Sequence, residues 1–334
     1  MDLRAACCEV NNESFMTDAI VTERLTKIYG KQCVVHSLNL RVPAGCVYGF
    51  LGRNGAGKST TIRMLLGMTQ PNFGRAELLG HDIGELPAEV RSRIAFLAEG
   101  HPLVGWMSVG EAVRFHRAFH AARWNQPLVE RILEHFELPA RKKVRRLSYG
   151  QRAQVALALA IAPDPDLLIL DDPTTGLDSV ARRDFLMSLM QLIQREGRTI
   201  FFSSHILSDV QRVADRIGIL VDGVLRVDCP TAQFTDSVRK VVLQFAGPPP
   251  PFPGCEGLVS ARESGRRLEL VIVNFGNVQQ EVVESLSPLS WDVLEMNLED
   301  ACIEYTRGPK GSFPLDEAES LRAASAAGEE EAAS

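Results

Sequence analysis

A glycine-rich segment contains the residue types needed to hold a row of phosphate groups. It matches the P-loop pattern G-x-x-x-x-G-K-[ST], and an apolar run that ends at Leu51 leads into it. Glycines let backbone N–H groups wrap phosphate oxygens, and the N-terminus of the following helix adds a positive dipole end. We expect Lys58 to reach the β- and γ-phosphates and the Ser59 hydroxyl to bind Mg²⁺. The candidate nucleotide-binding residues of this segment are Gly52, Asn54, Gly55, Ala56, Gly57, Lys58, Ser59 and Thr60.

An acidic pair follows a second apolar run. Residues 167–170 are apolar, and Asp171 and Asp172 come directly after them. Parallel α/β sheets bind ligands at the carboxyl ends of their strands, which is where this pair would lie. Alone, such a pair is more often a solvated strand end, but here it shares a chain with a phosphate-binding segment. We therefore expect Asp171 to be the acidic residue of a magnesium site.

A third segment reads Leu-Ser-Tyr-Gly-Gln and precedes a helical pattern. With these residues the chain resembles the ABC ATPase family, whose signature is Leu-Ser-Gly-Gly-Gln. Tyr29 lies upstream of the P-loop, where the family has an aromatic residue that stacks on adenine. His205 follows an apolar run that ends at Ser203, as the family's switch histidine does. The residues that match the signature are Leu147, Ser148, Tyr149, Gly150 and Gln151, and those that match the D-loop are Thr175, Gly176, Leu177 and Asp178.

The resemblance covers roughly residues 18–240, about two-thirds of the chain, and it implies a mechanism. The signature is far from the P-loop within one chain, so it would complete a site on the opposite subunit of a head-to-tail dimer. Ser148, Gly150 and the following helix N-terminus would present hydrogen-bond donors to the γ-phosphate held by the partner. ATP would join the subunits and its hydrolysis would release them, with Mg²⁺ as the cofactor.

Three residues depart from the family pattern. Asp172 stands where the family usually has a glutamate that orients or polarises the attacking water, and its side chain is one methylene shorter. A misplacement of about 1 Å can lower a rate roughly 100-fold. Glu99 stands where the resemblance implies the Q-loop glutamine, which touches Mg²⁺ and the water; we treat Glu99 as a candidate metal ligand that compensates for Asp172. Tyr149 replaces a glycine of the signature, with its neighbours intact.

These departures leave two subunit arrangements open. We favour a homodimer, because single-domain chains of this family often pair with themselves. Both of its sites would carry Asp172 and Glu99, and hydrolysis would be slow but present. In a heterodimer with a second ABC ATPase, only the site built on this chain's P-loop would be impaired. The alternative to a motor is a nucleotide-dependent switch with little hydrolysis. In either case the candidate catalytic residues are Asp172, His205 and Glu99.

Apolar runs alternate with helical patterns from about Ile20. This alternation predicts an α/β fold with a largely parallel sheet covered by helices. The stretch from Ser108 to Ala162 is mostly helical in pattern and predicts a helical insertion in this core. The resemblance adds an antiparallel β subdomain and places the helical subdomain at about residues 100–162, within a nucleotide-binding domain at 19–240. Asp222-Gly223 predicts a hairpin. The predicted strands are Val35–Val42, Cys46–Leu51, Ile94–Leu97, Leu167–Leu170, Thr199–Ser203 and Ile217–Val221.

The chain changes character after residue 240. A proline-rich stretch at residues 247–254 predicts a stiff, extended segment. Strand patterns at 257–262, 267–273 and 291–295, with helical patterns near 278–286 and 298–305, predict a small α+β accessory domain at 241–307. We expect residues 1–18 to be an N-terminal extension and residues 308–334, rich in Ala, Ser, Gly and Glu, to be disordered.

The composition excludes several classes of function. The chain of 334 residues is 45% apolar and 23% charged, as in globular proteins. A net charge of -6 argues against nucleic acid as a partner. Seven cysteines without a C-x-x-C pair favour a reducing compartment. No apolar run approaches the ~18 residues of a transmembrane helix, so we expect another polypeptide to supply any membrane spans.

Other members of the family fit less well. DNA-repair and chromosome-organising ATPases carry a long heptad-rich insertion between P-loop and signature, where this chain has fewer than 100 residues. Ribosome-bound factors carry two ABC domains and basic RNA contacts. We therefore expect a cytoplasmic ATPase, peripheral on the membrane, that drives a separate transmembrane permease. Residues 297–306 resemble the tail of single-domain ATPase subunits from bacterial exporters, which favours export.

Overall fold

The computed structural model describes residues 18–193 and 198–307. The predictions for residues 1–17 and 308–334 lie outside these ranges. The strands are β1 Asp18–Tyr29, β2 Gln32–Pro43, β3 Val47–Leu51, β4 Phe73–Leu78, β5 His81–Asp82, β6 Ile94–Leu97, β7 Leu167–Leu170, β8 Thr199–Ser204, β9 Arg216–Val221, β10 Val224–Pro230, β11 Val238–Gln244, β12 Leu258–Ser264, β13 Arg267–Val273 and β14 Ser290–Glu295. The helices are α1 Lys58–Leu65, α2 Ala88–Arg91, α3 Val109–Phe119, α4 Gln126–His135, α5 Tyr149–Ile161, α6 Ser179–Ile193, α7 Leu207–Val213, α8 Thr231–Ser237, α9 Asn277–Ser285 and α10 Leu298–Arg307.

The central sheet has the strand order β10-β9-β3-β8-β7-β6. The strands from β9 to β6 run parallel, and β10 pairs antiparallel with β9. Every residue of β3, β7 and β8 is buried, as expected of strands covered on both faces. The prediction of an α/β fold with a largely parallel sheet is confirmed, because continuous apolar runs are the signal that such strands give.

The turn between β9 and β10 is the hairpin that the sequence predicts. Asp222 and Gly223 both have positive φ, 47° and 79°, as the tight turn of a two-residue hairpin requires. The turn also reaches two other parts of the protein. The Gly223 N–H donates to the Ala56 carbonyl of the P-loop at 3.1 Å, and the Gly223 carbonyl accepts from the His36 N–H in β2 at 2.8 Å.

A second sheet, with the order β2-β1-β4-β5, is antiparallel throughout. It confirms the antiparallel subdomain that the family resemblance implies. The strand pattern alone does not reveal β1, because the register of β1 against β2 shifts between Thr22 and Leu25 and again between Leu25 and Lys27. Arg24, with a φ of 49°, lies at the first shift. These irregularities break the alternation that marks a strand.

Helices α3, α4 and α5 occupy the segment that the sequence predicts to be mostly helical. Their buried residues, among them Val109, Val129 and Val155, form a core of their own. Arg123, between α3 and α4, fastens this unit to the central sheet. Its guanidinium donates to a carboxylate oxygen of Asp166, just before β7, at 3.0 Å, and the same carboxylate accepts from Arg93, just before β6.

The third sheet has the order β12-β13-β11-β14 and is antiparallel. The strand and helix patterns predicted after residue 256 are confirmed. Strand β11 is not among them, and the predicted boundary between residues 240 and 241 falls inside it. Leu298, Ala301 and Cys302 of α10 are buried in the same core cluster as Phe234 of α8. The division of the chain into domains stays a prediction.

We expect Leu298→Ala to lower the free energy of unfolding by about 2–5 kcal/mol, because this fully buried side chain would leave a cavity in the shared core. Leu289→Ala is the matched control, since that side chain is 73% exposed. Urea denaturation followed by tryptophan fluorescence and circular dichroism measures the difference. If the C-terminal part alone melted early while the rest kept its normal midpoint, the shared core would be contradicted.

Candidate functional site

The P-loop joins the end of β3 to the start of α1. Two of its glycines, Gly55 and Gly57, have φ values of 85° and 108°, which side-chain-bearing residues rarely adopt. A Cβ at Gly57 would lie 2.7 Å from the Val34 carbonyl oxygen, and one at Gly52 would lie 2.6 Å from the Leu220 carbonyl oxygen. The loop is therefore built from glycine for two reasons, its backbone conformation and its close approach to neighbouring strands.

Lys58, the first residue of α1, points into this loop. Its side chain is 4% exposed, and its ammonium donates to the Gly52 carbonyl at 2.8 Å. The same nitrogen lies 3.7 Å from a carboxylate oxygen of Asp172. A buried positive charge of this kind is stabilised by nearby negative charge. Lys58 is thus placed to neutralise an anion held by the P-loop.

Asp171 is held by two hydroxyl groups. Ser59 and Ser203 both donate to its Oδ1, at 3.0 and 2.8 Å. Ser203 lies in β8 and is fully buried, and its oxygen also accepts from the Asp172 N–H at 2.8 Å. Our set of candidate residues lacks Ser203. The parallel register could have revealed it, since Leu170 pairs with Phe202 and the next residue along β8 faces the acidic pair.

Asp172 lies beside His205. Its backbone is left-handed, with a φ of 42°, a conformation that aspartate tolerates better than most residues. One carboxylate oxygen is 2.8 Å from His205 Nδ1 and accepts from the His205 backbone N–H at 3.2 Å. A carboxylate accepts, so Nδ1 carries the proton in this contact. The structure therefore brings together Lys58, Asp171, Asp172 and His205.

The signature segment forms the start of α5. Ser148 and Gln151 make a reciprocal capping box, in which each side chain accepts from the other's backbone N–H, at 3.1 and 3.2 Å. The Ser148 hydroxyl serves as an acceptor here, so its own proton remains available to a ligand. A Cβ at Gly150 would lie 2.7 Å from the Ala181 side chain, so this glycine also lets α5 pack against α6. Within the described residues, no hydrogen bond joins the signature to the P-loop.

The remaining candidates lie apart from the acidic pair. Asp178 caps α6, accepting from the backbone N–H groups of Val180 and Ala181. Tyr29 ends β1 and is 48% exposed, with the Lys27 ammonium 5.0 Å from its ring centre. Glu99 is exposed, and among the described residues no hydrogen bond or ion pair joins it to Asp171 or Asp172.

Two buried polar residues behind the acidic pair also lie outside the predicted set. Asp209 of α7 accepts from the Thr174 hydroxyl at 2.7 Å, and burial raises the pKa of its carboxyl. Nε2 of His101 lies 2.9 Å from the Pro173 carbonyl oxygen, and burial lowers the pKa of the His101 imidazole. Both hold the residues that directly follow Asp172. An isolated aspartate and histidine outside any motif give no signal in the sequence.

The oxygen groups of the site suit Mg²⁺. Mg²⁺ is usually held by one or two carboxylates together with phosphate and water oxygens, and Asp171 and Ser59 supply a carboxylate and a hydroxyl side by side. No group of three or more His, Cys, Asp or Glu residues that could hold a metal occurs in the part of the chain that the structure describes. Asp171 and Ser59 would supply part of the oxygen shell of a Mg²⁺ ion, with phosphate and water oxygens supplying the rest.

Comparison with known proteins gives consistent similarities. A family model described as "ABC transporter" matches residues 35–175. The chain is 36% identical over 227 residues to the bacitracin transport ATP-binding protein BcrA of Bacillus licheniformis, covering 67% of this chain and 74% of that protein. It is 36% identical to the Nod factor export ATP-binding protein I of Burkholderia lata, covering 67% and 75%. It is 35% identical to the daunorubicin/doxorubicin resistance ATP-binding protein DrrA of Streptomyces peucetius, covering 69% and 70%.

Solved structures agree. The ATP-binding subunit of an ABC transporter superimposes with a TM-score of 0.58 at 25% identity, covering 65% of this chain and 92% of that one. CbiO1 from Clostridium perfringens, with a TM-score of 0.56 at 24% identity over 64% and 88% of the two chains, shares the fold. Together with the P-loop, the acidic pair and the signature, these similarities establish that the chain belongs to the ABC transporter family, as an ATP-binding subunit with ATPase activity.

Proposed function

We propose that this chain is the motor of an ABC export system, a subunit that dimerises head-to-tail around ATP and drives a separate membrane permease. The convergence of Lys58, Asp171 and Asp172 at the carboxyl ends of β3 and β7 carries the proposal. The printed names of the relatives, which describe transport of bacitracin, export of Nod factor and resistance to daunorubicin, support export.

The P-loop would bind the phosphates of ATP. Its left-handed glycines, Gly55 and Gly57, would let backbone N–H groups wrap the phosphate oxygens, and the helix N-terminus adds its dipole. Lys58 would exchange its contact with the Gly52 carbonyl for the β- and γ-phosphates. Asn54, Ala56 and Thr60 belong to the same cradle. The exposed ring of Tyr29 would stack on adenine.

Ser59 and Asp171 would hold Mg²⁺ between them, with Glu99 as a third candidate ligand. When bound, the ion would neutralise charge on the β- and γ-phosphates. The Ser203 hydroxyl donates to the Asp171 carboxylate and so fixes its orientation without the help of a nucleotide. The exposed Glu99 would have to move toward the acidic pair to take part.

Asp172 and His205 would position the attacking water. A carboxylate at this place accepts a hydrogen bond from water, and His205 holds the carboxylate through its Nδ1 proton. Asp172 has a positive φ, and its carboxylate lies 3.7 Å from the Lys58 ammonium. Hydrolysis of this kind depends on positioning and charge neutralisation, since no covalent intermediate with the protein is needed.

The signature would act on the second subunit. Ser148 keeps a free hydroxyl proton and lies at the N-terminus of a 13-residue helix, which favours contact with an anion. Leu147 is buried and anchors the segment, and the Gln151 side chain accepts from the Ser148 N–H and so holds the start of the helix. Asp178 lies at the start of α6, which packs against Gly150. We favour a homodimer, with a heterodimer as the alternative.

A partner would cover the exposed apolar surface near α3. Phe115 and Phe119 are 46% and 71% exposed, and their rings meet edge-on with centroids 5.1 Å apart. Large aromatic side chains in such an exposed patch are typical of protein–protein contacts. In the described part of the chain, no helix has the length and apolar character to span a bilayer. We propose that a separate permease binds here, on the cytoplasmic side of the membrane.

Steady-state MgATP hydrolysis by the purified chain tests the proposal, with Lys58→Ala as the control. The wild type should turn over ATP, and the variant should lose both turnover and most of its ATP affinity, because Lys58 is the buried cation of the P-loop. Binding of a fluorescent ATP analogue by the wild type without turnover would instead favour a nucleotide-dependent switch. No binding at all would overturn the proposal.

Asp172→Glu should raise the turnover number, because the added methylene extends the carboxylate toward the water. A correction on the order of 1 Å can recover up to roughly 100-fold in rate. Asp172→Asn is the matched control, which keeps the size of the side chain and removes its charge, and we expect it to be slower than the wild type. An unchanged rate in Asp172→Glu would show that the length of residue 172 does not limit hydrolysis.

Ser203→Ala should lower turnover and raise the Mg²⁺ concentration needed for half-maximal activity. The substitution removes a donor to Asp171 and leaves the buried Asp172 N–H unpaired, which we expect to lower the free energy of unfolding by about 1–3 kcal/mol. Ser188→Ala removes a hydroxyl that donates within α6 and serves as the control. A Ser203→Ala enzyme with a normal Mg²⁺ dependence contradicts the assignment.

A further inference from the structure

His101 is a buried histidine that contacts both the segment after Asp172 and Tyr149 of the signature. It lies four residues after β6, and its side chain is completely buried. Its backbone is left-handed, with a φ of 51°, and its N–H donates to the Ala98 carbonyl at 3.3 Å, which closes a tight turn. A polar ring at 0% exposure in a turn of this kind must make specific contacts to offset its desolvation.

The ring makes a directional contact with the segment that carries Asp172. Nε2 is 2.9 Å from the carbonyl oxygen of Pro173, the residue directly after Asp172. A carbonyl only accepts, so Nε2 is the donor. Nδ1, on the other side of the ring, has no hydrogen-bond partner among the described residues. The Nε2–H group of His101 therefore donates its hydrogen bond to the Pro173 carbonyl oxygen.

The other side of the ring contacts the signature. The His101 and Tyr149 rings meet edge-on, with centroids 5.6 Å apart. Tyr149 in turn lies against Gly176 of the D-loop segment, where an added Cβ would be 3.0 Å from the tyrosine ring. Phe185 of α6 packs on His101 from a third direction, at 6.3 Å. A glycine in place of Tyr149, as in the family's signature, would remove the ring that makes these contacts.

The signature and the start of α6 are packed as one unit. Gly150 lies close against Ala181, and Asp178 caps α6 at the same end. A displacement of this unit would carry the Tyr149 ring with it. The structure offers His101 as a buried link between that ring and the backbone of the acidic pair.

We propose that His101 is a positioning residue, which holds the Pro173 carbonyl through Nε2–H and so couples the orientation of Asp172 to the position of the Tyr149 ring. This inference rests on the proposed role of Asp172 in hydrolysis. Closure of the signature on ATP would then adjust the catalytic carboxylate of the same chain. It also gives Tyr149, a departure from the family signature, a specific task.

Two substitutions separate the hydrogen bond from simple packing. His101→Gln keeps an N–H donor at about the distance of Nε2, whereas His101→Met fills a similar volume without a donor. We measure kcat per nucleotide-binding site, KM for ATP and the thermal midpoint. His101→Met should lower kcat roughly 10- to 100-fold, as expected for a small misplacement of a catalytic group, with KM within about twofold of the wild type. His101→Gln should retain most of kcat.

Equal losses in both variants, in parallel with their thermal midpoints, would show that His101 only fills space, and normal turnover in His101→Met would overturn the proposal outright. If His101→Met does not fold, His101→Asn takes its place, because its shorter amide does not reach Pro173. Asp172→Ala distinguishes failure of the proposed catalytic role from failure of the coupling. Normal turnover in Asp172→Ala refutes the role of Asp172. Normal turnover in the His101 variants, with turnover lost in Asp172→Ala, refutes the coupling alone.

A double-mutant cycle tests the link to the signature. Tyr149→Ala should lower kcat, and the double variant His101→Met with Tyr149→Ala should lose less than the product of the two single effects, because both act through one contact. Fully multiplicative effects would show that Tyr149 and His101 act independently and would overturn that part of the proposal.

Discussion

Two adjacent aspartates at the end of a buried strand set the main constraint on this protein. Neighbouring carboxylates repel each other and lose hydration when they are buried. The fold separates their surroundings: Asp171 accepts from two hydroxyl groups, whereas Asp172 faces Lys58 and His205. The side chain of Ser203 contacts both residues at once, as donor to one and acceptor from the other. Its place on the neighbouring parallel strand explains why the order of the sheet matters for the chemistry.

Much of this arrangement follows from the sequence, for identifiable reasons. The P-loop, the acidic pair and the signature are local patterns, so the residues that carry them can be named without a structure. The parallel strands are continuous apolar runs, which the sequence also reveals. Strand β1 is hidden because its register shifts at Arg24, and β11 because it follows α8 without a turn signal. His101 and Ser203 act through contacts distant in sequence, which no local pattern predicts.

The C-terminal sheet is more closely joined to the rest than an accessory domain would suggest. Met296, Leu298 and Ala301 belong to the same core as strands of the central sheet, and Val271 and Val273 of β13 face this core as well. The opposite face of the sheet, around Leu243 and Leu270, packs against α9 instead. Strand β13, whose side chains are buried on both faces, therefore transmits displacement from one layer to the other, because close-packed interiors deform little.

The turn at Asp222 and Gly223 has a consequence for ligand affinity. Through Gly223 it braces Ala56 of the P-loop on one side and His36 of β2 on the other, so the loop is supported by strands that take no part in binding. A cradle whose shape is set in this way has little conformational freedom left to lose when a ligand arrives. Part of the entropy of ordering the loop is therefore lost on folding and not on binding, which favours phosphate affinity.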